Sequence, residues 1–215
     1  MAESRKTPKQ KRGREAEKKI IKAAQDTFAK KGYAGTRVSD IVKLAESSTG
    51  SFYFRFKAKE ALFDYMLDQY MEKCREAINE LNFQTPNSIG ELIYIVVCRN
   101  VELVEMNQGF YRVINEVSIS NPQVWSRLQT LSQELSQAVV DYGRPFQDEV
   151  KAPDYEQAIR QATHLMSGWL ANRASHSVSL QHFDEEALIN MLYRSTMGVL
   201  QAYPVPDCAN FRIRR

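Results

Sequence analysis

The sequence predicts an all-α fold of about nine helices, with a three-helix head at the amino terminus and a longer helical bundle behind it. Three observations carry that expectation. Apolar residues recur at three- and four-residue spacing along most of the chain, the period of a helix with one buried face. No segment shows sustained apolar–polar alternation between turn signals, the mark of a strand. Residues suited to helix ends, among them Gly32, Ser48, Asn121-Pro122 and Pro204, punctuate the apolar stretches.

Residues 1–13 are polar and basic, contain Pro8 and Gly13, and read as a flexible arm. Ile20, Ile21, Ala24 and Phe28 predict a first helix over about 14–31, with Lys30 and Lys31 in its last turn and Gly32 as its stop. Thr36 can cap a second helix over about 37–45, whose inner face is Val38, Ile41, Val42 and Ala45. Ser48, or alternatively Ser47, caps a third short helix from Thr49 to Phe56. A fourth starts near Lys57–Lys59 and runs to Leu81. The capping-box pattern "SIGE" at 88–91 opens a fifth, to about Met106. A sixth spans about 108–118. Asn121 as cap and Pro122 at the first helical position start a seventh, running towards 149 with a kink or break at Gly143 and Pro145. An eighth covers about 153–178, and a ninth about 184–203, stopped by Pro204 and Pro206.

The 215 residues are 43% hydrophobic and 26% charged, an ordinary globular balance. The longest apolar run, Leu92 to Cys98, is far short of the roughly 20 residues that cross a bilayer. The amino terminus has no apolar stretch of the secretory kind, so a cytoplasmic protein is expected. Cys74, Cys98 and Cys208 form no CxxC pair, and His164, His176 and His182 have no neighbour at ligand spacing. No metal and no cofactor is expected. No phosphate-cradling glycine loop, GxSxG or HExxH occurs, so the motifs propose no enzyme.

Charge is uneven. Residues 1–60 carry 16 Lys and Arg against 7 Asp and Glu, net +9, and the remainder is −6, giving +3 for the chain. A basic first quarter suggests a polyanion as its partner. The same quarter holds "AESSTGSFYFRFKAKEALF" (45–63), in which Phe52, Tyr53, Phe54 and Phe56 interleave with Arg55 and lead into Lys57 and Lys59. Three helices, the second and third very short and joined by about three residues, describe a helix-turn-helix, whose third helix enters a DNA major groove. Phe52 and Phe56 share one face and can pack with Phe28, Ile41 and Ala45. Ser48, Thr49, Ser51 and Arg55 then face outward, and Tyr53 and Phe54 flank the division. Phe54 either packs inward or lies against a sugar or a thymine methyl.

At Thr36, Val38, Ile41, Ala45, Ser48, Gly50, Phe52, Tyr53, Arg55, Phe56, Lys59, Glu60 and Leu62 the sequence resembles the tetracycline-repressor family of transcriptional regulators. "AAQDTFAKKGYAGT", just upstream, is similar to that family's first helix and its Gly-Tyr exit. The likeness covers about residues 15–65. Glu46-Ser47 stands where the family usually has Gly-Val. If position 46 is left-handed, Glu costs about 1 kcal/mol relative to Gly there.

The resemblance implies a helix-turn-helix head over 14–58 and a ligand-binding and dimerisation domain over 59–215. It implies DNA contacts from Arg37, Ser48, Thr49, Gly50, Ser51, Tyr53, Phe54, Arg55 and Lys59, with Arg12 and Arg14, and Lys9 and Lys11 beside them, following the backbone or a groove. The alternative for the arm is a solvated basic face. The resemblance further implies a homodimer through the eighth and ninth helices, where Ala158, Ala162, Gly168, Ala171, Met191, Ser195, Gly198 and Ala202 permit close approach. The middle helices would enclose a small apolar or aromatic effector among Tyr94, Cys98, Val101, Phe110, Tyr111, Trp125, Leu128, His164, Leu165 and Trp169; plain core is the alternative for each. The function implied is a ligand-responsive repressor on a palindromic double-stranded operator. The competing reading is a helical binding module whose basic head contacts nucleic acid without sequence preference.

Overall fold

The computed structural model describes residues 8–81, 84–175 and 184–200, with side chains from Gly13 onward. Ala202, Cys208, His176 and His182 lie outside the described residues, as do the side chains of Lys9, Lys11 and Arg12. Among the described residues there are nine α-helices and no strand. They are α1 (Pro8–Lys31), α2 (Val38–Leu44), α3 (Thr49–Arg55), α4 (Lys59–Glu80), α5 (Ile89–Met106), α6 (Gln108–Ser120), α7 (Pro122–Gly143), α8 (Tyr155–Ser175) and α9 (Glu185–Leu200).

The chain divides into two units. One comprises Met1–Lys73 and Asn107–Ser126, the other Cys74–Met106 and Arg127–Arg215. The first unit therefore extends beyond residues 14–58, because α6 packs against α1. Its core begins with the inward stripe of α1, where Ile20, Ala23, Ala24, Thr27 and Phe28 recur at helical spacing and are buried. The α1 helix starts at Pro8 rather than near residue 14, so residues 8–13, expected as arm, are helical. Aromatic rings continue the core. Phe28 meets Tyr33, Tyr33 meets Phe63, Phe63 meets Phe110 and Phe110 meets Tyr70, with ring centroids 5.5 to 6.2 Å apart.

In the second unit the apolar helix α5 packs on both α8 and α9. Its buried Leu92, Ile93, Val96, Val97 and Val101 share this core with Ile159, Ala162, Met166 and Leu170 of α8 and with Leu188, Leu192 and Leu200 of α9. One polar pair is buried there. The hydroxyls of Ser136 and Thr163 lie 2.6 Å apart, and a carbonyl of its own helix lies within bonding distance of each, so one hydroxyl donates to the other and the second donates to a carbonyl. The start of α5 forms half of its capping box, since the Glu91 carboxylate accepts the Asn87 N–H at 2.8 Å rather than that of Ser88. Ser88 Oγ accepts the Glu91 N–H at 3.1 Å, and the Glu149 carboxylate accepts the Ile89 N–H at 2.9 Å. The break expected at Gly143 and Pro145 is a change of winding, since α7 passes into a 3-10 helix over Arg144–Glu149. Gly143 is required there: a Cβ would lie 2.5 Å from the Tyr155 hydroxyl, which donates to Val140 O. Burial pushes the Tyr155 phenol up to about 12.

Candidate nucleic-acid interface

The head is built from its turns. Gly32, at φ 71°, ends α1 and donates its N–H to Phe28 O at 2.8 Å. The next turn is held from above by Glu116 of α6. Its carboxylate accepts the N–H groups of Tyr33 at 2.6 Å and Ala34 at 2.8 Å. From below, the Lys59 ammonium donates to Tyr33 O at 2.7 Å and Thr36 O at 2.9 Å, and sits 4.2 Å from the centroid of the Tyr33 ring. Burial, with the Glu60 carboxylate beside it, drives the Tyr33 phenol well above its usual range, so it stays a neutral donor to Glu60. The expectation that Lys59 holds a phosphate gives way to this inward role.

Thr36 does not cap α2. Its hydroxyl is 2.7 Å from Gly32 O, to which it donates, and Arg37 takes the cap position instead. The Arg37 N–H donates to the Asp40 carboxylate, which also pairs with Lys31 at 3.0 Å. Those contacts, the Lys31 ammonium first, hold Asp40 below the usual carboxylate range.

The turn between α2 and α3 is a Schellman motif. The Ser47 N–H bonds Val42 O at 3.0 Å and the Glu46 N–H bonds Lys43 O at 3.3 Å. Glu46 takes the left-handed position, φ 49°, where an L side chain is strained. Replacing Glu46 with Gly is therefore expected to raise stability by about 1 kcal/mol, a rise of about 2–4 °C in Tm by differential scanning calorimetry. An unchanged or lower Tm would refute the strain.

Ser48 caps α3, its Oγ accepting the Ser51 N–H at 3.0 Å. Phe52 is 0% and Phe56 6% exposed, and Phe28, Ile41 and Ala45 are buried as well. Successive helical residues turn by about 100°, so the side opposite Phe52 and Phe56 falls at Gly50 and Phe54. Exposure agrees: Phe54 is 86% and Tyr53 51% exposed, and Ser48, Thr49 and Gly50 are exposed too. Phe54 thus stands at the centre of the outward face, not at its margin. Arg55 is half-buried. Its guanidinium donates to Ser51 O and Oγ, both at 2.8 Å, and to Gly13 O at 3.1 Å, tying the end of α3 to α1. Arg14 and Arg37 are exposed on the same unit.

This is a two-sided helix, apolar behind and open in front, on a three-helix scaffold with a tight turn. Residues 20–66 match the sequence profile of the bacterial regulatory proteins, tetR family. The head is thus similar to the amino-terminal domain of that family. Among similar proteins, the HTH-type transcriptional regulator YuxN of Bacillus subtilis is 44% identical over 81 residues, 38% of this chain and 27% of YuxN. The biofilm operon negative transcriptional regulator IcaR of Staphylococcus aureus is 22% identical over 66% of this chain and 76% of its own. A tetR-family regulatory protein of known structure from Rhodococcus RHA1 superposes with a TM-score of 0.70 at 18% identity, covering 87% of this chain and 98% of its own. The chain thus spans about a quarter of YuxN's length.

The other expected sites are more scattered. Of the effector residues, Phe110, Tyr111 and Trp125 belong to the first unit and the remaining seven to the second. Within the second, Val101 and Leu128 are buried, Cys98 and Trp169 half-buried, and Tyr94, His164 and Leu165 exposed. Tyr94 faces out because the buried stripe of α5 runs through Leu92, Ile93, Val96 and Val97; its ring meets Tyr193 edge-on at 5.8 Å. Of the dimer residues, Ala158 and Ala162 are buried in the unit's own core. Gly168, Ser195 and Gly198 are exposed, with Ala171 and Met191 half-exposed. Space around Gly168 and Gly198 is open where a Cβ would stand. Among the described residues no group of side chains could hold a metal ion, and no helix is long and apolar enough to cross a membrane.

Two features of the head carry no local sequence signal, the Glu116 carboxylate over the Tyr33 turn and the inward use of Lys59 and Arg55. Glu116 is 83 residues from Tyr33 in sequence, so no local pattern announces it.

Proposed function

We propose that this protein is a homodimeric DNA-binding transcriptional regulator, a repressor that leaves its operator when a small apolar or aromatic molecule binds its helical domain. The observation that carries the reading is α3. Its rear is fixed by Phe52 and Phe56, and its front offers Ser48, Thr49, Gly50, Tyr53 and Phe54 to a major groove. The surrounding excess of basic residues supports a polyanion partner. The repressor form is supported by likeness to IcaR, a negative regulator.

A seven-residue helix contacts few base pairs, so specificity calls for two heads on a palindromic site. The exposed small residues Gly168, Ser195 and Gly198 on α8 and α9 suit close approach of a second copy. The effector acts by binding preferentially to the conformer whose heads do not match the half-site spacing. The α4 helix, which runs on from the head, is the coupling element.

The test is binding of the purified protein to a labelled duplex from upstream of its own coding sequence, read by anisotropy over a salt series. The proposal expects selective, salt-sensitive binding, with Tyr53→Phe losing selective affinity and little of the non-specific background. Equal weakening on every duplex would favour the electrostatic module instead.

A further inference from the structure

The outward midline of α3 is Gly50 followed one turn later by Phe54. Neither side chain offers a hydrogen bond. A protein that reads bases through donors and acceptors would place Arg, Asn or Gln on this line. Here the line carries an absence of bulk and then a bare aromatic ring, 86% exposed. Such exposure of a large apolar side chain gains nothing in the free protein. It is not forced by the core either, since Phe52 and Phe56 already fill the rear.

Two neighbours prepare the ring. A Cβ on Gly50 would meet only Ser48 Oγ, at 3.9 Å, so nothing of the protein fills the space beside it. The Arg55 guanidinium, fixed by Gly13 and Ser51, lies 5.8 Å from the Phe54 ring centroid and flanks one side of it.

We infer that Phe54 is a specificity-determining residue that reads the 5-methyl group of a thymine in the major groove, with Gly50 allowing the helix close enough for the contact. Of the groups that bases present in that groove, the thymine methyl is the apolar one. The inference rests on the reading of α3 as the DNA-reading helix. It adds that one position in each half-site is chosen by an apolar contact rather than by hydrogen bonds.

Sites are selected from a randomised duplex library with the wild-type protein and with Phe54→Ala. Each thymine of the selected half-site is then replaced by deoxyuridine, which removes only the methyl group. The expected result is one thymine per half-site at which the replacement weakens wild-type binding about fourfold, the worth of one buried methyl. Phe54→Ala shows no such loss at that position and selects sites degenerate there. Phe54 is exposed, so the variant folds. Selective binding with no methyl-sensitive thymine, or the same sensitivity in Phe54→Ala, overturns the assignment and leaves the regulator reading in place. Absence of selective binding to any duplex overturns both.

Discussion

Phe52→Ala is expected to cost the head about 3–5 kcal/mol, the range for removing a fully buried phenylalanine. Phe52 is 0% exposed, and its ring touches those of Tyr53 and Phe56 at centroid distances of 5.4 and 5.8 Å. The cavity would open where α3 rests on α1 and α2. The two units call for a residue-resolved measurement, since a single transition need not describe both. Amide exchange over α1–α3 should quicken by orders of magnitude while α5, α8 and α9 keep their protection. Phe52→Leu, closer in volume, should cost less than about 1.5 kcal/mol. A loss below about 1 kcal/mol for the alanine variant would mean that Phe52 does not anchor the helix.

The second large effect is expected at Glu116. Its carboxylate accepts two backbone N–H groups that have no other partner in the turn after α1. Hydrogen bonds to a charged group are worth about 1.5–3 kcal/mol each where they are shielded from water. The Tyr33 bond is part-buried and the Ala34 bond exposed, so Glu116→Ala should cost about 2–3 kcal/mol in all. Glu116→Gln, which keeps one acceptor and loses the charge, should fall between. The direct check is exchange at the Tyr33 and Ala34 amides, which should become unprotected in the alanine variant. Persistent protection would show that the carboxylate is not their partner in solution. Gly32 belongs to the same device: a Cβ there would approach the Glu116 carboxylate at 2.8 Å, so glycine serves both the left-handed stop and the latch.

Local signals in the sequence located the helices well. Ser48 is the cap of α3, Pro122 opens α7, Gly32 ends α1, and position 46 is left-handed where a glycine is the usual choice. Each is a short-range constraint, written within four residues of the site it governs. The start of α1 carries two conflicting local signals. Pro8 is a good first helical residue, whereas the density of positive charge suggested an arm. Phe54 was also legible, since it stands about 200° from Phe52 and so opposite the buried side.

What local pattern does not reveal is how charge is spent. Lys59 and Arg55 resemble phosphate contacts in composition, yet both donate to backbone carbonyls that the folded head brings to them. Thr36 looked like a cap, but its hydroxyl turns back to Gly32 O. Residues expected around an effector divide between two units and between surface and core, because one apolar period serves equally for a core and for a cavity wall.

The central claim is that α3 reads sequence. Genomic fragments retained by the purified full chain at physiological salt, once sequenced, test it most directly. The account predicts a small set of fragments that share a dyad-symmetric site, bound at least about 10³-fold more tightly than bulk DNA. Retention in simple proportion to fragment length, with no shared sequence, would contradict it.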